Sequence, residues 1–424
     1  MKTLAVIGTG IAGLGCAWFL RDRFEISVFE QNDYAGGHSN TIAVNEGGRE
    51  VPIDTGFMVF NHVTYPLLTR LFRELDVATK PTDMSFSVQV VPAGLEYNGG
   101  SLNLLFGQRR NLFSPRHWRM LMAIDRFNKE AVAALEDQRY EDYTLGRYVA
   151  ERGYGEDMLH RYLVPMSSAV WSTPPELMLE FPAMTLIRFW HNHGFLGLYT
   201  QHPWFTVADG SRSYVKKISA PFQDRIQRNR GVTHVTRQNS KAQLRFSDGE
   251  SREFDKVILA CHGDQALALL GDPTDLESRL LANFKYQPNT ATLHSDESLM
   301  PQTRRCWASW NYRIDAAQDG RTLPTTHYWM NRLQGVSDKV NYFVSLNCED
   351  KIREDKIHKR LRYEHPLFDL AAVRAQKELP SLNLLSPEQT TYYAGAWFKY
   401  GFHEDGFASA LACARGVTGE ALWA

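Results

Sequence analysis

Three glycines and one acid near the start of the chain have types and spacing that can do chemistry. Gly8, Gly10 and Gly13 form a G-x-G-x-x-G turn, and Glu30 lies twenty residues after Gly10. Gly8 permits a tight turn, Gly10 lets the backbone approach a pyrophosphate, and Gly13 lets a helix lie close on a strand. A helix opening there offers unpaired N–H groups and a partial positive charge to phosphate. An acid at Glu30 can accept hydrogen bonds from both ribose hydroxyls and would repel a 2′-phosphate, which disfavours NADP.

The flanking residues supply the elements that this turn needs. Thr3 to Ile7 (TLAVI) is a short aliphatic run suited to a strand buried on both faces. LGCAWFLRD after the glycines reads as a helix, and Ile26 to Glu30 (ISVFE) as a second strand, giving one βαβ unit with a right-handed crossover. A nicotinamide site ends with the ribose acid. Here a second glycine pair follows, in Tyr34-Ala35-Gly36-Gly37-His38-Ser39-Asn40-Thr41, and then Val51-Pro52-Ile53-Asp54-Thr55-Gly56-Phe57, so the backbone must pass close to a larger ligand.

On these motifs the chain resembles the flavin-containing amine oxidase superfamily, which includes monoamine and polyamine oxidases, protoporphyrinogen oxidases and phytoene desaturases. His38 stands where that superfamily usually has Arg. Two further segments are similar to it. Trp204 to Tyr214 resembles the GG-x-x-x-L segment, with Asp209 replacing the first glycine. Tyr392-Tyr393-Ala394-Gly395-Ala396-Trp397 followed by Gly401 to Phe407 resembles the closing motif, with Ala396 in place of Asp and Asp405 as a substitute carboxylate. The resemblance implies non-covalent FAD held by Gly8, Gly10, Ile11, Ala12, Gly13, Glu30, Gln31, Gly36, Gly37, His38, Gly56, Phe57, Met58, Val235, Ala260, Gly395, Ala396, Asp405, Gly406 and Phe407. Val235 would touch adenine through its backbone. Gly406 and Phe407 would aim N–H groups at the pyrimidine end of the flavin. More narrowly, the chain is similar to a bacterial amine-oxidase-like subgroup often encoded beside cyclopropane-fatty-acid-synthase-like enzymes, which implies an acyl-lipid substrate by association.

A chain of 424 residues is too long for one core and suggests two lobes. The expected fold is α/β. A discontinuous Rossmann-like FAD-binding domain (1–75, 203–268 and 391–424) accompanies an α+β substrate domain with a mixed or antiparallel sheet (76–202 and 269–390). A net charge of −1 gives no support for nucleic-acid binding. Five scattered cysteines without CxxC spacing read as reduced thiols of a cytoplasmic protein and exclude a disulfide framework or a zinc site; no metal is expected. The first apolar run is too short for a signal peptide, and none approaches the ~20 residues needed to span a bilayer.

Between the motifs, Tyr65 to Leu75 carries a helical apolar stripe, and Met84 to Val91 reads as strand. Ser114-Pro115 caps a helix to about Leu135. Arg109, Arg110, Arg116, Arg119 and Arg126 lie beside Phe113, Trp118, Leu121 and Met122, either as a face for anionic lipid at a membrane periphery or as a solvated helix flank. From Leu145 to Trp190 the pattern is helical. By resemblance Leu163 to Ser172 roofs the substrate cavity. Residues 290–294, 306–312, 325–330 and 342–346 have strand character and, with 84–91, could form one sheet facing the flavin. Its aromatic surface, with Trp171, Trp310, Tyr328 and Met330, is the expected substrate pocket.

The superfamily's flavin-side lysine has no counterpart in Asn289-Thr290-Ala291-Thr292-Leu293. That favours hydride removal from a C–H bond of an apolar, fatty-acyl-like substrate, with His403 as the candidate catalytic base. Two alternatives stay open: an amine oxidase, and a flavoprotein isomerase or non-redox lipid-binding partner of another enzyme. The electron acceptor is left open as well.

Overall fold

The computed structural model describes residues 1–316 and 322–424. A five-stranded sheet has the order Ile226–Gln227, Glu25–Phe29, Thr3–Ile7, Lys256–Leu259, Thr391–Tyr393, and every neighbouring pair is parallel. Its central strands are aliphatic because both faces are covered: Leu4, Ala5, Val6, Val257, Ile258 and Leu259 are fully buried. On one face lies the first helix, Ile11–Leu20, which is itself buried on nearly every side. The C-terminal helix, His403–Thr418, packs against it so closely that a Cβ on Gly15 would sit 2.9 Å from both Phe407 and Ala410.

A seven-stranded sheet forms the second layer system. Its order is Ile357–Leu367, Lys285–His294, Phe343–Leu346, Thr322–Trp329, Trp310–Ala316, Phe86–Val90, Leu95–Asn98. All neighbours are antiparallel except Trp310–Ala316 with Phe86–Val90, so the sheet is mixed, as expected. Three details differ from the reading of the sequence. Arg304–Cys306 is a 3₁₀ turn and the strand begins only at Trp310. Met330 opens a short helix, Met330–Gln334, rather than closing a strand. Ile357–Leu367 is an edge strand whose charged residues face solvent, which hides its period-2 pattern from a search for apolar alternation.

Helices Pro115–Ala134, Leu145–Arg152, Val164–Trp171 and Ala183–Asn192 cluster beside this sheet. The first starts where its signals put it: Pro115 is at the first helical position and the Ser114 hydroxyl accepts from His117 N. Among the described residues, no helix is long and apolar enough to cross a membrane.

Three deeply buried histidines give the fold a pH limit. Ser345 Oγ lies 2.7 Å from both His294 Nε2 and His327 Nδ1, and His193 Nδ1 donates to Phe189 O at 2.8 Å. Burial pushes His193 and His294 down to about 4 and His327 to about 3. The unfolded chain protonates its histidines near pH 6.5 while the folded state stays neutral, so stability falls as pH drops from 6.5 towards 4. At pH 5 the three together are expected to cost about 6 kcal/mol, a large part of a typical stability. Urea unfolding at pH 7.5 and pH 5 measures this directly. Equal midpoints would show that these imidazoles titrate normally.

Candidate functional site

The glycines of the first turn divide by what demands them. Gly8 has φ +99°, and a Cβ there would lie 2.7 Å from Ala260 O. A Cβ on Gly13 would lie 2.0 Å from Gly8 O. Both are therefore required by the protein itself. Gly10 is different. Its φ is −63°, ordinary for any residue, and an added Cβ meets nothing within 4 Å. The helix it opens has no side-chain cap, so the first-turn N–H groups of Ile11, Ala12 and Gly13 face this open space without a side-chain acceptor. Gly36 and Gly37, at φ +125° and +58°, fold back over the turn; Gly36 N donates to Thr9 O, and a Cβ on Gly37 would come 3.1 Å from Gly10 Cα.

Glu30 is buried at the end of its strand. Its Oε2 accepts from Thr9 N at 3.1 Å and from Thr9 Oγ1, and its Oε1 accepts from Asn32 N and Nδ2, both at 2.9 Å. These fill the four lone-pair positions of the carboxylate. Two of the donors, Thr9 Oγ1 and Asn32 Nδ2, are side chains that can rotate aside without backbone movement. Gln31 is exposed beside Gly231. Backbone pairs Arg230 N→Glu30 O and Asn229 N→Asn32 O place residues 229–231 along this edge. Val235 is not there: it is fully buried in its own hairpin, with its carbonyl taken by Gly271 N. Ala260 N donates to Ile7 O, which seats that residue over Gly8.

The second glycine pair leads into a cluster in which the loop residue His38 meets the edge of the seven-stranded sheet. His38 stacks on Tyr363 at 4.9 Å and lies 5.2 Å from His365, while Asn289 Nδ2 sits 2.9 Å from His365 Nδ1. Burial, reinforced by neighbouring histidines, holds His38 well below the usual imidazole range. Its Nε2 is buried with no protein partner. Gly56 is needed because a Cβ there would lie 2.3 Å from His38 O, which also accepts from Phe57 N. Neither Tyr363 nor His365 is singled out by the sequence, since both sit on the charged edge strand.

The closing segment holds corrections. Phe57 stacks on His403 at 3.7 Å, and His403 Nε2 lies 2.8 Å from Ser39 Oγ and 3.0 Å from Tyr214 OH. Burial takes His403 down to about 3, so it is a neutral imidazole tied to two hydroxyls and a weak proton acceptor. These contacts hold its ring in place between Phe57, Ser39 and Tyr214. Gly406 and Phe407 do not present N–H groups to a ligand. Gly406 N donates to Phe402 O, a Cβ on Gly406 would meet Ile11 Cγ2 at 2.8 Å, and Phe407 is fully buried against Phe19. Both belong to the seam between the two helices. Asp405 caps its own helix by accepting from Phe402 N, and burial pushes its carboxyl up to about 7. Glu404, which the sequence did not flag, accepts from Leu67 N and Leu68 N and so caps helix Pro66–Glu74. Gly395 is excluded from carrying a Cβ by the Trp397 indole, and Ala396 faces Gly406.

Asp54 fastens these parts together. Its carboxylate accepts from Thr41 Oγ1, from Ser211 N and Oγ, and from Gln334 Nε2, while Asp54 N donates to Gln334 Oε1. Asp209, at φ +59°, tolerates the left-handed turn where glycine is usual, and Gly210 next to it gives Ser211 its approach.

A cradle beside Gly10 that no protein atom fills, an uncapped helix N-terminus aimed into it, and an orphaned buried Nε2 on His38 all fit a ligand larger than the βαβ turn alone would serve. The sequence profile of the family described as "Flavin containing amine oxidoreductase" matches residues 11–374. The chain belongs to this family. It is an FAD-dependent oxidoreductase of the amine-oxidase type. The fold of this oxidoreductase is similar to that of a putrescine oxidase variant, with a TM-score of 0.70 at 12% identity, covering 99% of both chains. It is also similar to a fatty acid isomerase from P. acnes described as CLA-producing, with a TM-score of 0.65 at 15% identity over 96% of this chain and 97% of that one. A 1-hydroxycarotenoid 3,4-desaturase of Flavobacterium sp. (strain P99-3) is 36% identical over 78 residues, 18% of this chain and only 15% of the desaturase.

The residues expected to line a substrate pocket separate into two groups. Trp310 and Tyr328 are cross-strand partners with rings edge-on at 4.8 Å, in a cluster that includes Met58, Ala291 and Leu293. Met330 is fully buried in the same cluster. Trp171 is elsewhere: it packs on Phe181, Phe189 and Phe402, with Nε1 donating to Tyr400 O, and is a core residue.

Proposed function

We propose that this oxidoreductase removes hydride from a C–H bond of an apolar, lipid-like substrate such as a fatty-acyl chain. The observation that carries the reading is the chemistry of the sheet behind Met58. Ala291, Leu293, Tyr328, Met330 and Val344 form an apolar wall with Trp310 against it. Among the described residues the one buried lysine is Lys256, which lies in the parallel sheet with Nζ on Gln389 O and Tyr392 OH. Lys285, at the start of strand Lys285–His294, is exposed, and Asn289 is held by His365 and Asn347.

FAD, when bound, supplies the acceptor for the departing hydride. The chain's own groups do the rest. The first-turn N–H groups of Ile11 to Gly13 would bind the pyrophosphate, and Glu30 the ribose. Neutral His38 keeps Nε2 available, with its ring fixed by Tyr363 and His365. The apolar wall excludes water and contributes roughly 0.8 kcal/mol for each methylene it buries. The likenesses to a carotenoid desaturase segment and to the fold of a fatty acid isomerase support a lipid-like substrate.

Anaerobic absorbance titration of the holoenzyme tests the reading. Acyl phospholipid is expected to bleach the flavin and putrescine is not. Bleaching by amines alone would establish the amine-oxidase alternative, and no lasting change with either would favour the isomerase or non-redox one.

A further inference from the structure

Exposed apolar side chains gather on one ridge of the molecule. Phe113 is 87% exposed, Met122 61%, Leu102 60%, Trp118 45% and Leu112 42%. Trp118, Arg119 and Met122 share one face of helix Pro115–Ala134, while Met120 and Phe127 on the other side are buried in the core. Trp118 Nε1 donates to Leu112 O at 2.9 Å, which holds the Leu112–Phe113 turn rigidly against that face. Along this stretch of chain the charge is of one sign, with Asp125 one turn beyond Met122 and Asp157 against Arg116 at its borders. Between Glu96 and Asp125 the chain has Arg109, Arg110, Arg116 and Arg119 and no acid. Arg116 is paired with Asp157; among the described residues Arg109 and Arg110 bond only to Asn103 and to carbonyl oxygens, and Arg119 forms no ion pair.

We infer that this ridge docks on the surface of an anionic phospholipid bilayer, with Leu112, Phe113, Trp118 and Met122 entering the interface and the arginines meeting the headgroups. Rigid apolar side chains flanked by cations match such a surface. A second copy of the chain matches it poorly, because a two-fold contact would set each arginine cluster against itself. The ridge also lies next to an internal opening. One helical turn after Asp157, the partner of Arg116, His160 lines a cavity of about 100 Å³ with Val164, Pro165, Tyr312 and Ile314. Tyr312 is two residues from Trp310 on the same strand, and Trp310 packs against the apolar wall. A role for this cavity in substrate delivery rests on the function proposed above; the docking itself does not.

Flotation of the holoenzyme with vesicles reads binding without turnover, so its failure and that of the proposed reaction are separable. The protein is expected to float with phosphatidylcholine vesicles containing phosphatidylglycerol and much less with phosphatidylcholine alone. The triple variant Phe113→Ser, Trp118→Ser, Met122→Ser is expected to bind at least ~10-fold more weakly, and Arg119→Glu, a single exposed change, to weaken binding as well. Retained flavin colour and thermal midpoint confirm that both remain folded. Absence of flotation by the unmodified protein overturns the inference, as does equal flotation of the variants. A concentration-dependent dimer lost in the triple variant, without flotation, overturns it in favour of self-association.

Discussion

Replacing Gly10 by valine is expected to give a folded, colourless protein. Its backbone angles suit any residue and an added Cβ has no neighbour within 4 Å, so the apo fold has no reason to reject a side chain. At this helix N-cap the exchange costs at most about 1 kcal/mol. The same side chain, however, occupies the space into which the first-turn N–H groups point. Affinity for FAD is expected to fall at least ~100-fold, about 3 kcal/mol. Gly13→Ala supplies the contrast. Its Cβ would fall 2.0 Å from Gly8 O, a backbone atom that cannot step aside, so this variant loses stability rather than binding alone. Thermal unfolding of the apo proteins and FAD titration separate the two effects. A Gly10→Val protein that purifies yellow would mean the pyrophosphate lies elsewhere.

Asp54→Ala is expected to produce the largest loss of stability of any single change at the site, about 3–5 kcal/mol. Its carboxylate is almost fully buried and satisfies donors from strand Thr41–Glu46, from the start of helix Arg212–Ser219, and from Gln334 after the long sheet. Removing it leaves several buried donors without an acceptor, each costing about 1–3 kcal/mol before relaxation. Burial raises the Asp54 pKa while the hydrogen bonds from Thr41, Ser211 and Gln334 oppose that rise. Asp54→Asn keeps one acceptor oxygen and is expected to lose less. Denaturant unfolding of the three proteins is the check, and an Asp54→Ala midpoint within about 1 kcal/mol of the parent would show that the donors find other partners.

Contrasts such as that between Gly10 and Gly13 show what can be read along a chain. The turn, the strand before it, the helix after it and Glu30 span thirty residues, and each is a local signal. The apolar strands of the parallel sheet were equally legible. Gly406 and Phe407 were misread for a physical reason: a glycine in a helix can admit a ligand or another helix, and only the position of Ile11 decides between them. Val235 was misplaced because a hairpin strand reads the same whether or not its carbonyls are free. The environment of His38 could not be seen at all, since Tyr363 and His365 come from a charged edge strand more than three hundred residues away. The same separation hides Glu404, which accepts from Leu67 N and Leu68 N.

Turns at Gly8–Gly13 and Gly36–Gly37, with His38, are expected to hold FAD by non-covalent contacts alone. Denaturing the purified protein and passing it through a size-cutoff filter tests this most directly. The yellow colour is expected to pass entirely into the filtrate as intact FAD. Colour retained with the polypeptide, or a folded colourless protein that takes up no added FAD, would contradict it.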